Sequence, residues 1–317
     1  MLKEILKTII LLLQRIFKGG SREIKQKFKV AFKEGKFKIV QFTDLHEHAV
    51  KNEYTIKLME NILDSEKPNL VVITGDCVDG RYCNGEKEVK GVIDNIAKPM
   101  EDRRIPWAVT LGNHDSEACQ VSRERQMEIY MSYKYNLSDK FSTVSDKAGD
   151  YNIVIQDENN KPVYNLYMLD SGSYTKDGYG YVEKEQIAWY EDTANNLKKC
   201  FQTRIPSLMF FHIPLKQQYE VWQSGKAVGE RNENECCQGE DTGLFSKLKE
   251  IGDVKGVFVG HDHTNDYWGS LDGIALCYGR KTGFNCYDKE GFIKGARVIV
   301  LNENHLEEFN TYEKLDV

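Results

Sequence analysis

A chain of 317 residues, 40% hydrophobic and 29% charged, has the composition of an ordinary folded enzyme and the length for one large α/β domain or two smaller ones. A net charge of −6 speaks against nucleic acid as the main partner, because phosphate backbones are met by basic surfaces. The charge is uneven. Residues 1–38 hold eleven Lys/Arg against three Glu, a local +8, and the remaining 279 residues carry −14, which describes a basic arm on an acidic body.

Residues 1–20 form a distinct segment. Leu2, Ile5, Leu6, Ile9, Leu12, Leu13, Ile16 and Phe17 recur at helical spacing among Lys3, Lys7, Arg15 and Lys18. The uncharged run from Thr8 to Gln14 is far short of the roughly 20 apolar residues of a membrane span, and no small-x-small cleavage site follows it. Two readings stand: an amphipathic helix on an anionic membrane surface, or a helix packed on the protein or an unprocessed leader. The expected location is accordingly cytoplasmic or peripherally membrane-associated. The eight cysteines show no CxxC pair and no zinc-site spacing, which favours free thiols over one or two bridges.

From residue 21 to 317 a single domain is expected. Ile24, Gln26, Phe28, Val30 and Phe32 alternate with other residues, Glu34-Gly35 supplies a turn, and Phe37, Ile39 and Gln41 resume the alternation. This predicts a β-hairpin. Helices are predicted around Tyr54, Leu58 and Ile62, around Val89, Val92, Ile93 and Ile96, around Ile187, Tyr190, Ala194 and Leu197, and around Leu244, Phe245, Leu248 and Ile251. Strand–helix alternation makes the fold class α/β.

Five β-rich runs end in residues that can bind metal. FKIVQF leads to Asp44 and His46, LVVIT to Asp76, WAVTL to Asn113, His114 and Asp115, SLMFF to His212, and GVFV to His261 and His263. Ligands of open α/β sheets gather at the carboxyl ends of strands. Imidazole, carboxylate and amide oxygen without thiolate suit manganese, iron or zinc better than magnesium. The donors exceed what one ion needs. Two ions about 3.5–4 Å apart sharing one carboxylate would use them, lower the pKa of a bound water and stabilise an in-line displacement at phosphorus.

The ordered blocks DLH, GD, GNHD, H and GHDH, spread over residues 36–303, resemble the signature of calcineurin-like metallophosphoesterases. PWAVTLGNHD, QIAWYED, FHIPL and GHDHTNDYWGSLDGIALCYG are similar to the branch of small purple-acid-phosphatase-like and phosphoprotein-phosphatase proteins. The resemblance implies a four-layer αββα sandwich with two divalent or mixed-valence ions. It implies Asp44, His46 and His263 on one ion, Asn113, His212 and His261 on the other, and Asp76 as the bridge. His114 would stand over the phosphate as charge stabiliser and proton donor, oriented by Asp115. The expected reaction is hydrolysis of a phosphate ester by a dimetal-bound hydroxide, first of all a phosphomonoester of a small molecule or a protein. A phosphodiesterase on a cyclic nucleotide and a non-catalytic binding scaffold are the alternatives. One position departs from the purple enzymes: Asp79 stands where they carry the tyrosine that colours the iron, so no purple colour is expected.

Other residues carry weaker signals. Gly75, Gly112 and Gly260 are read as sharp turns near the site; His48, two residues past a ligand, is read first as a surface loop residue, with a place at the site mouth as the alternative. Arg81 and Arg280 are either forks for substrate phosphate or exposed surface arginines. The polar stretch 222–242, with Cys236-Cys237, reads as a long loop of the kind that selects substrate.

The basic segment yields one prediction. A chain beginning at Ser21 should keep its hydrolytic activity, since no candidate ligand precedes Asp44, and should lose sedimentation with anionic vesicles at low salt. The attraction is roughly 1 kcal/mol per basic residue near such a surface and fades as salt rises. Equal sedimentation of full and shortened chains would leave residues 1–20 as a packed helix or a leader.

Overall fold

The computed structural model describes residues 27–83 and 85–316. The amphipathic segment 1–20, and Ile24 and Gln26 of the expected hairpin, lie outside these.

Hydrophobic alternation organises the molecule. The chain runs β1 (Val30–Ala31), β2 (Lys36–Phe42), α1 (Glu53–Glu66), β3 (Leu70–Thr74), α2 (Glu86–Arg103), β4 (Trp107–Thr110) and α3 (Arg123–Met131). It continues through β5 (Tyr151–Gln156), β6 (Pro162–Met168), a small hairpin of β7 (Tyr174–Thr175) and β8 (Gly178–Tyr179), then α4 (Lys184–Phe201) and β9 (Ser207–Phe210). The last part comprises α5 (Gln217–Gln223), α6 (Leu244–Ile251), β10 (Val254–Val259), β11 (Trp268–Leu271), β12 (Ile274–Tyr278), β13 (Gly295–Asn302) and β14 (Phe309–Leu315). One sheet has the order β14-β13-β2-β3-β4 and the other β1-β5-β6-β9-β10-β12-β11.

The period of two along each strand sorts side chains between two cores. Leu208 and Phe210 of β9 and Phe258 of β10 join the core that faces β2, β3, β4 and β13, where the Phe210 and Phe258 rings stack with centroids 5.2 Å apart. Met209, Val257 and Val259 point the other way, onto Ile187, Tyr190 and Leu197 of α4 and Leu244 and Leu248 of α6. On the far side, Leu58 and Ile62 of α1 and Val89, Val92 and Ile96 of α2 cover the five-stranded sheet. The result is helix, sheet, sheet, helix. β2, β3 and β4 are parallel neighbours joined by α1 and α2, and β6, β9, β10 and β12 are parallel in the second sheet.

The expected hairpin is half right. Lys33 and Lys36 exchange both backbone hydrogen bonds at 3.0 Å around Glu34 and Gly35, whose φ values of 51° and 71° suit a two-residue hairpin turn. The arms then part. β2 is occupied on both edges by β13 and β3, so β1 has no edge to join and pairs in parallel with β5 of the other sheet. Phe32 and Phe37 are buried where the chain crosses between sheets, their rings 5.8 Å apart.

Two helices gave no periodic signal. α5 is short, and α3, RERQMEIYM, buries Arg123 and Gln126 instead of a full apolar stripe. All eight cysteines are unbridged. Among the described residues no helix is long and apolar enough to cross a membrane.

Arg123 explains the position of α3. Its guanidinium donates to both carboxylate oxygens of Asp170, at 2.8 and 2.5 Å, and to the carbonyl of Gly112 at 2.7 Å, and both side chains are buried. Arg123→Met would leave Asp170 buried with only its backbone donors Ala148 and Gly172. Removing one partner of such a pair costs about 3–5 kcal/mol. Urea unfolding of the variant should show a loss of that size, and a loss below about 1 kcal/mol would mean the pair does not hold α3 in place.

Candidate metal centre

The loops after β2, β3, β4, β9 and β10 meet at one end of the sandwich, where the two sheets' parallel strands both terminate. Asp44, His46, Asp76 and His261 have φ values of 54°, 47°, 48° and 80°, a left-handed backbone that costs a non-glycine residue energy and clusters at functional sites. Gly112 and Gly260 are there for another reason than the expected turns. A Cβ on Gly112 would lie 2.2 Å from Asp76 Oδ1, and one on Gly260 would lie 2.0 Å from Thr43 Oγ1 and 2.8 Å from Asp44 Oδ2. Their missing side chains let neighbouring loops close on the two aspartates. Gly75, with φ of 87°, serves both purposes.

The geometry separates the candidate donors into two sets that share one residue. Asp44, His46, Asp76 and His263 each offer an atom within 4.8 Å of the others, and so do Asp76, His212 and His261. All of these are buried. Asp76 Oδ1 accepts the backbone N–H of His114 at 2.8 Å. Oδ2 lies 3.1 Å from His212 Nε2 and 3.5 Å from His46 Nε2, with no hydrogen bond of its own.

Backbone carbonyls, which can only accept, fix the imidazole protons. His212 Nδ1 donates to Thr74 at 2.7 Å and His263 Nδ1 to Tyr287 at 2.9 Å, so Nε2 of each presents a lone pair to the centre. His46 Nδ1 lies 3.4 Å from the Asp79 carboxylate, which turns its Nε2 toward His263 Nε2 at 3.0 Å. Both nitrogens belong to the donor set of one metal position. His261 Nδ1 lies 3.2 Å from His212 Nε2. Asn113 donates its Nδ2 to the Tyr174 hydroxyl at 2.8 Å, which leaves Oδ1 buried and unpartnered. Unpaired buried acceptors are costly, and here they are the atoms a metal ion would satisfy.

The electrostatics agree with a cation site. Burial opposes charge on His212, but Asp76 and Asp44 raise it to about 9. Asp76 is held well below the carboxylate range, with burial overcome by His212, His46 and His114. Burial and the neighbouring His212 push His261 well below the usual imidazole value, and burial together with His46 does the same for His263. The imidazole, carboxylate and amide donors fit a pair of ions of the manganese, iron or zinc type.

His114 needs a correction to its expected partner. Asp115 does not orient it: this buried carboxylate accepts the backbone N–H groups of Cys77, Val78 and Gly112 at 3.0, 2.9 and 2.7 Å, tying the β3 loop to the β4 loop. Burial and Asp76 push it up to about 6. His114 Nδ1 is bonded instead to Glu117, whose only sequence signal is its place three residues on in the same turn. Tyr174 is a second residue that sequence reading missed.

At the rim, Arg81 pairs with Asp79 through Nη2 and Nε at 2.6 and 2.8 Å and approaches Glu117 at 3.7 Å. Its side chain is about one third exposed. His48 lies against Tyr82, ring centroids 4.4 Å apart and planes tilted by 32°, and 3.9 Å from Asp79, so the alternative reading, a place at the mouth, fits better than a surface loop residue away from the site. Arg280 is neither a phosphate fork nor an exposed residue. It is buried against Asp266, with its guanidinium 3.6 Å from the Phe292 ring centroid and donating to the Ile293 carbonyl.

Comparison with known proteins accords with this geometry. The family profile described as calcineurin-like phosphoesterase matches residues 37–265. The chain is 34% identical to probable inactive purple acid phosphatase 14 of Arabidopsis thaliana, over 84% of this chain and 75% of that one. It is 35% identical to phosphatase DCR2 of Saccharomyces cerevisiae over 78% of this chain, which is 48% of that protein's length. A crystal structure of a dimetal phosphatase from Danio rerio superposes with a TM-score of 0.58 at 13% identity, covering 87% of this chain and 98% of that one, a likeness of fold. With its strand-end donors, its two facing sheets and this extent of similarity, the chain belongs to the calcineurin-like phosphoesterase family of metal-dependent hydrolases.

Proposed function

We propose that this chain hydrolyses phosphomonoesters, with phosphorylated protein side chains within its range. The observation that carries the reading is Asp76, one carboxylate common to two donor sets, with His114 anchored through its backbone to the same carboxylate. In this reading Asp44, His46 and His263 hold one ion and Asn113, His212 and His261 the other. Two such ions supply Lewis-acid charge for the phosphoryl oxygens and an activated water near neutral pH.

The chain's own residues do the rest. Glu117 engages His114 Nδ1 and leaves Nε2 as the nitrogen to meet substrate and protonate the departing oxygen. Asp115 keeps the His114 turn against the Asp76 loop. Arg81, fixed by Asp79, adds positive charge at the rim where a phosphate would approach. Relatives named inactive share much of this sequence, but every donor position here carries a residue able to bind metal.

Two experiments test the reading. Protein assayed for metal should hold close to two ions per chain and turn over aryl phosphomonoesters faster than the corresponding diesters. Asp76→Asn should lower metal content and nearly abolish turnover. Under one ion per active chain would refute the shared carboxylate, and preference for diesters would replace a monoesterase with a diesterase. Separately, His114→Ala should keep both ions yet lower kcat by roughly 10²–10⁴, the range of a positioned general acid. Glu117→Gln should lower kcat in the same direction by less. A kcat for His114→Ala equal to wild type across several leaving groups would remove it from the reaction.

A further inference from the structure

We infer that Tyr174 is a positioning residue of the metal centre: its hydroxyl, itself oriented by Glu117, turns the Asn113 amide so that Oδ1 faces the ion. The inference rests on the metal-centre reading above and deepens it.

A side-chain amide has two ends of nearly equal shape, a carbonyl oxygen and an NH₂ group. Only the oxygen can bind a cation, so something must decide which end of Asn113 turns inward. Asn113 is fully buried. Its Nδ2 donates to the Tyr174 hydroxyl at 2.8 Å, while Oδ1 has no hydrogen-bond partner.

A hydroxyl can also donate, and a Tyr174 that donated to Oδ1 would hold the amide the wrong way round. Its proton is committed elsewhere. Glu117 Oε2 lies 3.5 Å from the Tyr174 oxygen, and a carboxylate only accepts. The phenol therefore points its proton at Glu117 and a lone pair at Asn113, which draws the NH₂ outward and leaves Oδ1 to the centre. The same Oε2 is bonded to His114 Nδ1. One carboxylate oxygen thus sets the imidazole of the proton donor and, through Tyr174, the amide of a ligand.

The chain around Tyr174 is built onto the same donor set. Ser173 Oγ donates to the Asn113 carbonyl at 2.9 Å, so consecutive residues grip the backbone and the side chain of one ligand. Ser171 Oγ accepts the N–H of Ile213, the residue after His212, at 3.1 Å. Tyr179, on the other arm of the β7–β8 hairpin, sets its ring against His261 with centroids 4.4 Å apart and planes 83° apart. It also packs on Tyr174 at 5.6 Å. The base of the hairpin is tight: the Gly180 N–H donates to the Ser173 carbonyl at 2.7 Å, and a Cβ on Gly180 would lie 2.5 Å from the Ser171 carbonyl oxygen. Tyr174 itself is 46% exposed, so it is not there to fill the core, and removing its hydroxyl opens no buried cavity.

The test is a measurement of metal affinity. Full-length protein loaded with Mn²⁺ and equilibrated at a series of buffered free Mn²⁺ concentrations should hold close to two ions per chain at the high end. In Tyr174→Phe one of the two should leave at roughly 10–100-fold higher free Mn²⁺, the range for losing a partner that orients a ligand. Thr175→Val removes the hairpin's own bond from Thr175 Oγ1 to the Gly178 carbonyl and should hold both ions as the unmodified protein does. Asn113→Asp offers an oxygen whichever way its carboxylate turns, so adding Tyr174→Phe to it should leave Mn²⁺ affinity unchanged, a double-mutant cycle that isolates the amide. Unaltered affinity in Tyr174→Phe, an equal loss in Thr175→Val, or a further loss on adding Tyr174→Phe to Asn113→Asp would overturn the inference and leave the two-ion reading standing. Fewer than two ions on the unmodified protein at high Mn²⁺ would overturn both.

Discussion

The loops that meet at the metal end of this fold answer to the burial of one carboxylate. Asp76 sits fully buried just past the end of β3, between imidazoles from the other sheet and the β4 loop. An isolated charge so placed would be driven to neutralise. It persists because His212, His46 and His114 surround it, and because Gly112 has no side chain to keep the β4 loop away. Asp115 repeats the arrangement one layer back, as a buried carboxylate that accepts three backbone N–H groups and so holds in register the loops that carry Asp76 and His114. Arg123 adds a third level. It reaches the Gly112 carbonyl from α3 and is itself held by Asp170.

Much of this was legible in the sequence, for a physical reason. Runs such as LVVIT are continuous because strands buried on both faces have no polar side to show, and a polar block at the end of such a run stands out. Asp44, His46, Asp76, Asn113, His212, His261 and His263 could therefore be named before any fold was known. The four helices read from periodicity are those that cover a sheet with an apolar stripe. α3 escaped because it is held by buried Arg123 and Gln126, which a hydrophobic period does not register. The hairpin at Glu34-Gly35 was misjudged because local turn chemistry says nothing about which edges of β2 are already taken.

The misjudged side chains share a cause. Glu117, Tyr174 and Arg280 act through contacts set by tertiary packing, so their roles are invisible at the level of spacing. Asp115 was assigned to His114 because it is next in sequence. In a tight turn, adjacent side chains point apart, and the residue three positions on is the one that returns to the same side. The loops at 230–236 and 284–292 belong to the same class. Glu233 accepts from Thr264 and Tyr287, and Lys289 donates to Asn232, so two segments with no regular structure brace the GHDH turn.

The position of β2 also bears on how the molecule is made. β2 lies between β3 and β13, and β13 is formed by residues 295–302, close to the end of the chain. On a ribosome adding about 5–20 residues per second, the interval between the emergence of Phe42 and that of Gly295 is on the order of tens of seconds. Throughout it one edge of β2 is an unpaired row of N–H and C=O groups, the kind of template on which strands of other chains pair wrongly. The alternating lysines of this strand, Lys36 and Lys38, are the residues that discourage such pairing. Charge on this strand thus opposes wrong pairing at the edge that β13 later fills.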